Sequence, residues 1–300
     1  MKKYLLILSA LVLVAFTSCQ KLAGDPVSQD FAVESAYTRL EVQDAFDVTV
    51  SDAVDAITVT VGEKVMPYVV AEVVDSTLRI YLKSMGAVYV GEQKAVIPYN
   101  ADLTYVKLSG SSSFHSTYNL DSENVKVKLS GSSEFDCDLA AQDKVIVDMS
   151  GSSKFTGNMV TVEADVELSG ASNYNGDILA ENLKIDLFGS SNMEGLVAAN
   201  ILDLIVSGAS DANFSGDVNL LKINLDGSSN IVKHVTGNRY ALGCGRCEGE
   251  MSGASDAYIH CNGNIKVDLS GASELHFTGS GNPADSSTSG SSEIIHDVLP

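Results

Sequence analysis

The sequence predicts an all-β chain: a parallel β-helix with coils of about 19 residues, preceded by an atypical β head. Three observations carry this. First, a five-residue motif, read as LSGSS at Leu108–Ser112, recurs ten times as LSGSS, MSGSS, LSGAS, LFGSS, VSGAS, LDGSS, MSGAS and TSGSS variants. Its glycines are Gly110, Gly131, Gly151, Gly170, Gly189, Gly208, Gly227, Gly253, Gly271 and Gly290, mostly 19 residues apart. A fixed period of this length is the mark of a repeat architecture. Second, the positions six, four and two residues before the glycine are apolar in coil after coil, as in Val125, Val127, Leu129 and Leu183, Ile185, Leu187. The residues between are polar or charged, such as Lys126, Lys128, Lys184 and Asp186. Alternation with period two is a strand with one buried face. Third, each unit repeats the pattern in the same direction, whereas serial hairpins would alternate it. One unit is therefore one turn of a stacked parallel coil, rising about 4.8 Å per turn.

The elements follow in chain order. Residues 1–18 carry Lys2 and Lys3, an apolar run from Tyr4 to Phe16, then Ser18 before Cys19. The run is too short to span a membrane and reads as a signal sequence. A small residue before a lone cysteine resembles a bacterial lipobox, so Cys19 is the expected lipidation site. Lys21 beyond it favours the outer membrane, on either its periplasmic or its surface face. Residues 19–30 are expected to be a polar tether without structure. Residues 31–104 form the head, an atypical cap with strands expected at Leu40–Val50, Ile57–Val61, Tyr68–Val74, Leu78–Leu82 and Ala95–Ile97. Residues 105–300 are the repeat. Beyond each motif an apolar residue stands four positions on (Phe114, Phe135, Phe155, Tyr174, Met193, Ile231, Leu275). A second follows a few residues later (Leu139, Met159, Ile178, Val197, Val218).

The motif itself reads as a corner. Glycine reaches positive φ without strain. The serine two positions later is invariant (Ser112, Ser133, Ser153, Ser172, Ser191, Ser210, Ser229, Ser255, Ser273, Ser292), and a small hydroxyl can pair backbone groups that the bend leaves free. The alternative is an outward hydroxyl array that binds a ligand. Between Gly227 and Gly253 the spacing lengthens to 26 residues. Insertions in solenoids become loops, and the segment 233–250 is the expected place for function specific to this chain. At the end, Ala284, Ser286 and Thr288 replace the apolar ladder and should close the rod.

The chain carries a formal charge of −20, and loss of Lys2 and Lys3 makes it more negative. That argues against nucleic-acid partners, which need basic residues against phosphate. It equally argues against direct binding to anionic lipid. Catalysis on sugars by a β-helix needs clustered carboxylates with Arg or Lys on one face. Arginine is confined to Arg39, Arg79, Arg239 and Arg246, and tryptophan is absent. No catalytic residue, metal or cofactor is therefore assigned. The row three positions past the glycine (Glu134, Asn173, Asn192, Asp211, Asn230, Asp256, Glu274, Glu293) offers mixed single oxygens. It is read as a solvated ladder rather than calcium sites, which want six or more oxygens. Cys244 and Cys247 suggest a disulfide in an oxidising compartment. Cys261 and Cys137 permit two other pairings. His260 and Cys261 are adjacent in a strand and point to opposite faces, which argues against zinc.

The order of features is similar to a known bacterial family: lipobox, Phe46–Val50 (FDVTV), Ser76–Lys83 (STLRIYLK), then Val106–Phe114 (VKLSGSSSF) opening the run of coils. Over about residues 35–295 the chain resembles the putative auto-transporter adhesin, head GIN domain family, common in lipoproteins of the Bacteroidetes. The resemblance implies a right-handed β-helix without established catalytic residues. The expectation is a non-enzymatic, lipid-anchored envelope rod that binds a host or cell-surface protein or glycan. A β-helix polysaccharide lyase or hydrolase, or a structural envelope protein without ligand, are the alternatives.

Overall fold

The computed structural model describes residues 20–33, 35–83, 87–89 and 91–299; Cys19 and the signal segment lie outside them. The described chain is a β-solenoid. Each regular coil has three sides. A three-residue strand follows the glycine corner, as at Glu134–Asp136, and a longer strand bends once, as at Leu139–Met149. The repeat coils pair in parallel with their neighbours, with equivalent inward residues opposed: Val127 with Val147, Phe135 with Phe155, Ile185 with Leu204. The inward residues form one continuous core in which Val127, Val147, Val166, Ile185 and Leu204 are fully buried.

The residues four past the glycine stack into a column. Ring centroids of Phe114, Phe135, Phe155 and Tyr174 lie 5.3, 4.9 and 4.7 Å apart in near-parallel pairs. The strand rise sets this spacing, and flat rings fill it without voids. The column ends at Tyr174, whose hydroxyl donates to the Gly157 carbonyl oxygen at 3.1 Å.

The corner glycines all have φ between 74° and 81°. Stacking adds a second demand. A methyl group on Gly131 would sit 2.3 Å from the Gly110 carbonyl oxygen, and on Gly170 2.5 Å from that of Gly151. The backbone therefore packs directly on backbone. The corner serines turn inward, and all but Ser292 are buried. Ser133 Oγ donates to Ser130 O at 2.6 Å, Ser153 to Ser150 O at 3.0 Å and Ser255 to Ser252 O at 2.9 Å. These hydroxyls satisfy carbonyls at the bend and are closed to any outside ligand.

A second corner repeats a different chemistry. Gly157, Gly176 and Gly195 stack with φ of 152°, 159° and 155°. Beside them Asp138, Asn158 and Asp177 each accept, through a side-chain oxygen, the backbone N–H of the next coil, at 2.7, 3.0 and 2.8 Å. This short Asx ladder replaces backbone pairing where the strands are interrupted.

The head belongs to the same stack, but out of sequence order. Arg39–Val42 pairs in parallel with Tyr105–Leu108 on one side and with Thr77–Leu82 on the other. Asp47–Ser51 likewise lies between Ser113–His115 and Lys94–Pro98. The first coil in the chain is thus second in space. The later segment 77–98 lies outside it, and the chain then returns to begin the regular repeat. Antiparallel strands finish this end: Val69–Val74 on Thr77–Leu82, and Ile57–Gly62 on Lys94–Pro98.

Two expectations are corrected here. Leu40–Val50 is two strands, broken at Asp44 and Ala45 with φ of 62° and 65°. This is the solenoid corner without its glycine. The inward phase Leu40, Val42, Phe46, Val48 runs unbroken through it, which is why it reads as one strand. The tether is not structureless either. Pro26–Phe31 pairs antiparallel with Ile57–Gly62, because the edge of that strand would otherwise be bare. At the far end the closure is polar. Ser286 Oγ donates to Ile265 O and accepts from Val267 N, both at 3.0 Å, so a side chain replaces the next strand.

Candidate binding surfaces

The inserted segment folds back as a strap. Its short hairpin pairs Val235–Thr236 with Arg239–Tyr240. Arg239 forms a two-pronged ion pair with Asp217, at 2.9 and 3.1 Å. Its guanidinium donates to the Asp217 carboxylate and holds it below the usual carboxylate range. Tyr240 is fully buried, and its hydroxyl donates to Asp297 at 2.5 Å. The strap therefore crosses several coils rather than standing free as a loop. Under it, the His276 ring stacks on Tyr258 with centroids 4.7 Å apart. Its Nδ1 meets Asp297 at 2.9 Å and its Nε2 meets Glu274 at 3.1 Å. Both ring nitrogens face carboxylates, so neither is free to act as a base on a substrate.

Among the described residues, Cys137, Cys244, Cys247 and Cys261 are free thiols and all are buried. Cys244 hydrogen-bonds with both Cys247 and Cys261; the Cys247 contact and burial push its thiol up, against the contact with Cys261. Cys244 and Cys261 are directly opposed on adjacent strands. Cys137 lies at the second corner of the Gly131 coil, five turns from Cys244 and Cys247 and six from Cys261, or at least roughly 24 Å at about 4.8 Å per turn. A disulfide requires Cα atoms within about 7 Å, so pairings of Cys137 with the other three are incompatible with the fold. Its Sγ instead donates to Tyr118 O at 3.2 Å. His260 points outward to Thr278 and Asn262, away from Cys261.

The row three past the glycine is outward-facing and in register: Asp211 with Asn230, Asn230 with Asp256, Asp256 with Glu274, Glu274 with Glu293. Asn230 Nδ2 donates to Asp211 Oδ1 at 2.8 Å. Among the described residues no group of three or more His, Cys, Asp or Glu is placed to hold a metal. The third side of the coils is a self-compensated ion ladder, with Lys126 and Lys128 on Asp148 at 3.5 and 2.8 Å and Lys144 on Glu163 at 3.7 Å. Of the arginines, Arg39 lies 3.9 Å over the Tyr105 ring and Arg79 faces Glu41 at 3.8 Å.

Two surfaces were not foreseen in the sequence. On the second side of the middle coils, Ala140, Val160, Leu179 and Ala198 stand in one register and point outward. Val160 and Leu179 are 53% and 46% exposed, with Leu196 and Val162 also open nearby. Their signal was visible as apolar residues at outward positions flanking the inward Met159 and Ile178. The other surface is an open cleft of about 530 Å³ in the head, between Val33, residues 35–37, 52–55 and 98–102. It carries Asp52, Asp55 and Asp102, with Tyr37 and Tyr99. Tyr99 packs against Tyr118 with centroids 4.6 Å apart and the rings tilted by 40°. Tyr118 sits in the turn that lengthens the first repeat to 21 residues, and that irregular spacing was the available signal.

The chain matches the family model described as putative auto-transporter adhesin, head GIN domain, over residues 36–194 and again over 169–281. No curated protein matches it. Among solved structures, a putative adhesin from Parabacteroides merdae ATCC 43184 is 16% identical, with a TM-score of 0.47 over 93% of this chain and 99% of that one. A putative adhesin from Parabacteroides distasonis ATCC 8503 is 18% identical, with a TM-score of 0.47 over 93% and 97%. A putative lipid binding protein from the same strain is 18% identical, with a TM-score of 0.41 over 93% and 100%.

Proposed function

Because this chain belongs to the putative auto-transporter adhesin, head GIN domain family, we propose that it is a non-enzymatic adhesion or binding rod of the cell envelope. The observation that carries this is the exposed apolar row of Val160 and Leu179, aligned across adjacent coils of an otherwise strongly acidic surface. Contiguous apolar surface held by a rigid scaffold marks a contact site. A protein surface, on a host or a neighbouring cell, suits such a row better than a sugar does. The rod is read as anchored to the outer membrane by lipid on Cys19, a position outside the described residues. No helix among those residues is long and apolar enough to cross a membrane.

The reading as a binder rather than a lyase or hydrolase is supported by how the polar groups are spent. His276 is held between two carboxylates, and Arg79 and Arg239 are tied to single carboxylates. In an oxidising envelope Cys244 would cross-link to Cys247 or to Cys261, and non-reducing peptide mapping tells these apart.

The test is a screen of the purified protein against immobilised matrix and cell-surface proteins and glycans. Saturable binding without turnover is expected, and it should fall in Val160→Glu and Leu179→Glu variants that keep their melting temperature. Release of reducing ends or unsaturated sugars would overturn the reading in favour of an enzyme. Silence in both assays would leave a structural role.

A further inference from the structure

The ion ladder on the third side of the coils is compensated over most of its length, and the compensation fails at its N-terminal end. One outward column runs Asp165, Lys184, Asp203, Lys222, Glu248, Lys266 from coil to coil, and its sign alternates at every step. Lys184 and Lys222 thus each stand between two acids. Nearer the head the same column reads Arg39, Tyr105, Lys126, Ile146. Lys126 stands between two neutral residues, and Arg39 between Thr77 and Tyr105. In the neighbouring outward column Lys107 lies directly opposite Lys128. Opposed like charges cost stability, and the later coils show that the fold does not require them.

A groove lies where the alternation stops. Arg39, Lys126, Lys128 and Lys144 line an open hollow of about 460 Å³, and among the described residues no Asp or Glu joins them. The carboxylates nearby are shared: Lys126 and Lys128 meet the one Asp148, Arg79 and Lys107 meet the one Glu41, and Lys144 meets Glu163. Asp165 and Glu167 begin the acidic coils beyond. Among the described residues Arg39 has no carboxylate partner; its guanidinium lies over the Tyr105 ring, 3.9 Å from the centroid, which fixes it without neutralising it. Thr104 and Asn124 stand among these cations. In a chain of net charge −20, cations left without their acids in a concave wall call for an anion from outside.

We propose that this groove binds an acidic oligosaccharide, whose carboxylate or sulfate groups take the place of the acids missing from the ladder. Arg39 and the lysines supply charge-assisted hydrogen bonds to those groups, and Thr104 and Asn124 pair with sugar hydroxyls. An acidic peptide would gain most by adding to a free strand edge, and the strands here are paired on both sides. Nucleic acid, charged at every nucleotide, is repelled by the acidic coils beyond the groove. The groove lies on a different side of the coils from Val160 and Leu179, so either site can fail without the other.

A sulfated heparin hexasaccharide and an unsulfated hyaluronan hexasaccharide, titrated into the purified protein by calorimetry in about 150 mM salt, test the site and tell sulfate from carboxylate. Cellohexaose and hexaglutamate serve as the neutral sugar and the acidic peptide. Saturable binding of an acidic sugar is expected, with cellohexaose and hexaglutamate silent. Arg39→Gln and Lys126→Gln should each weaken it by about three- to fivefold, the worth of one exposed ion pair, and Lys126→Arg should retain it. Lys222→Gln, in the compensated part of the column, should leave affinity unchanged. Ile146→Glu, which sets an acid beside Lys126, should abolish binding without lowering the melting temperature. Equal losses in Lys222→Gln and Lys126→Gln would reduce the effect to net charge and overturn the site. So would an absence of binding to both acidic sugars, or hexaglutamate binding as tightly as they do.

Discussion

At the scale of single residues, the corner glycines meet two separate constraints that substitution can resolve. Gly110 and Gly170 have nearly the same φ, 76° and 77°. A methyl group on Gly110 would meet only ordinary contact, 3.6 Å from Asp44 N, while on Gly170 it would lie 2.5 Å from a carbonyl oxygen. Gly110→Ala should therefore cost about 1–2 kcal/mol, the left-handed penalty alone. Gly170→Ala should cost clearly more, because two backbones must separate. Ala171→Val, at an exposed position, should change little. Chemical denaturation of the three variants checks the order. The aromatic column makes a companion case: Phe155 is fully buried between Phe135 and Tyr174. Phe155→Ala should cost about 3–5 kcal/mol, and a loss under 1 kcal/mol would mean the coils can collapse around the gap.

At the scale of elements, the strap shows how an insertion is tied to a solenoid by charge. Arg239 holds the Asp217 carboxylate depressed. A group whose folded pKa is lowered contributes stability above its unfolded value and loses it as pH falls through the folded value. The strap should therefore loosen as pH drops below the ordinary Asp range, about 4. Hydrogen exchange at residues 234–241 should rise there in the native protein. In Asp217→Asn it should already be raised at neutral pH and depend less on acid. Exchange that ignores both acid and the substitution would show that Tyr240 and its Asp297 contact hold the strap alone.

At the scale of the whole molecule, stability passes from coil to coil, and each end must be closed. The N-terminal end is closed by a coil intercalated out of order and by antiparallel strands. The C-terminal end is closed by serine side chains and by His296, whose ring stacks 4.6 Å over Phe277. Removing residues 20–104 would bare the strands Tyr105–Leu108 and Ser113–His115, with Val106, Leu108 and Phe114 at the open end. Such an edge recruits other chains. The fragment 105–300 should aggregate, while the full protein stays monodisperse by light scattering. Intact mass of protein from membranes tests the anchor: cleavage before Cys19 with acyl chains attached is the expected result, and a retained Met1 would end that proposal.

The sequence alone determined the solenoid, its inward residues and its glycine corner, because these are local and repeated: a period of 19 and an alternation of two survive at every coil. The strands of the head were legible for the same reason, as Ile57–Gly62 and Thr77–Leu82 alternate in the ordinary way. Their order in the stack was not. Which coil lies beside which depends on contacts between segments such as Arg39–Val42 and Thr77–Leu82, distant in sequence and alike in pattern. The corner at Asp44 lacked the glycine that marks the others. The cleft and the apolar row left only single-residue signals in the sequence, for a related reason. Asp52, Tyr99 and Tyr118 come from three loops, and Val160 and Leu179 are single outward positions in separate coils. Only stacking at strand spacing brings them together, and that juxtaposition belongs to the tertiary structure.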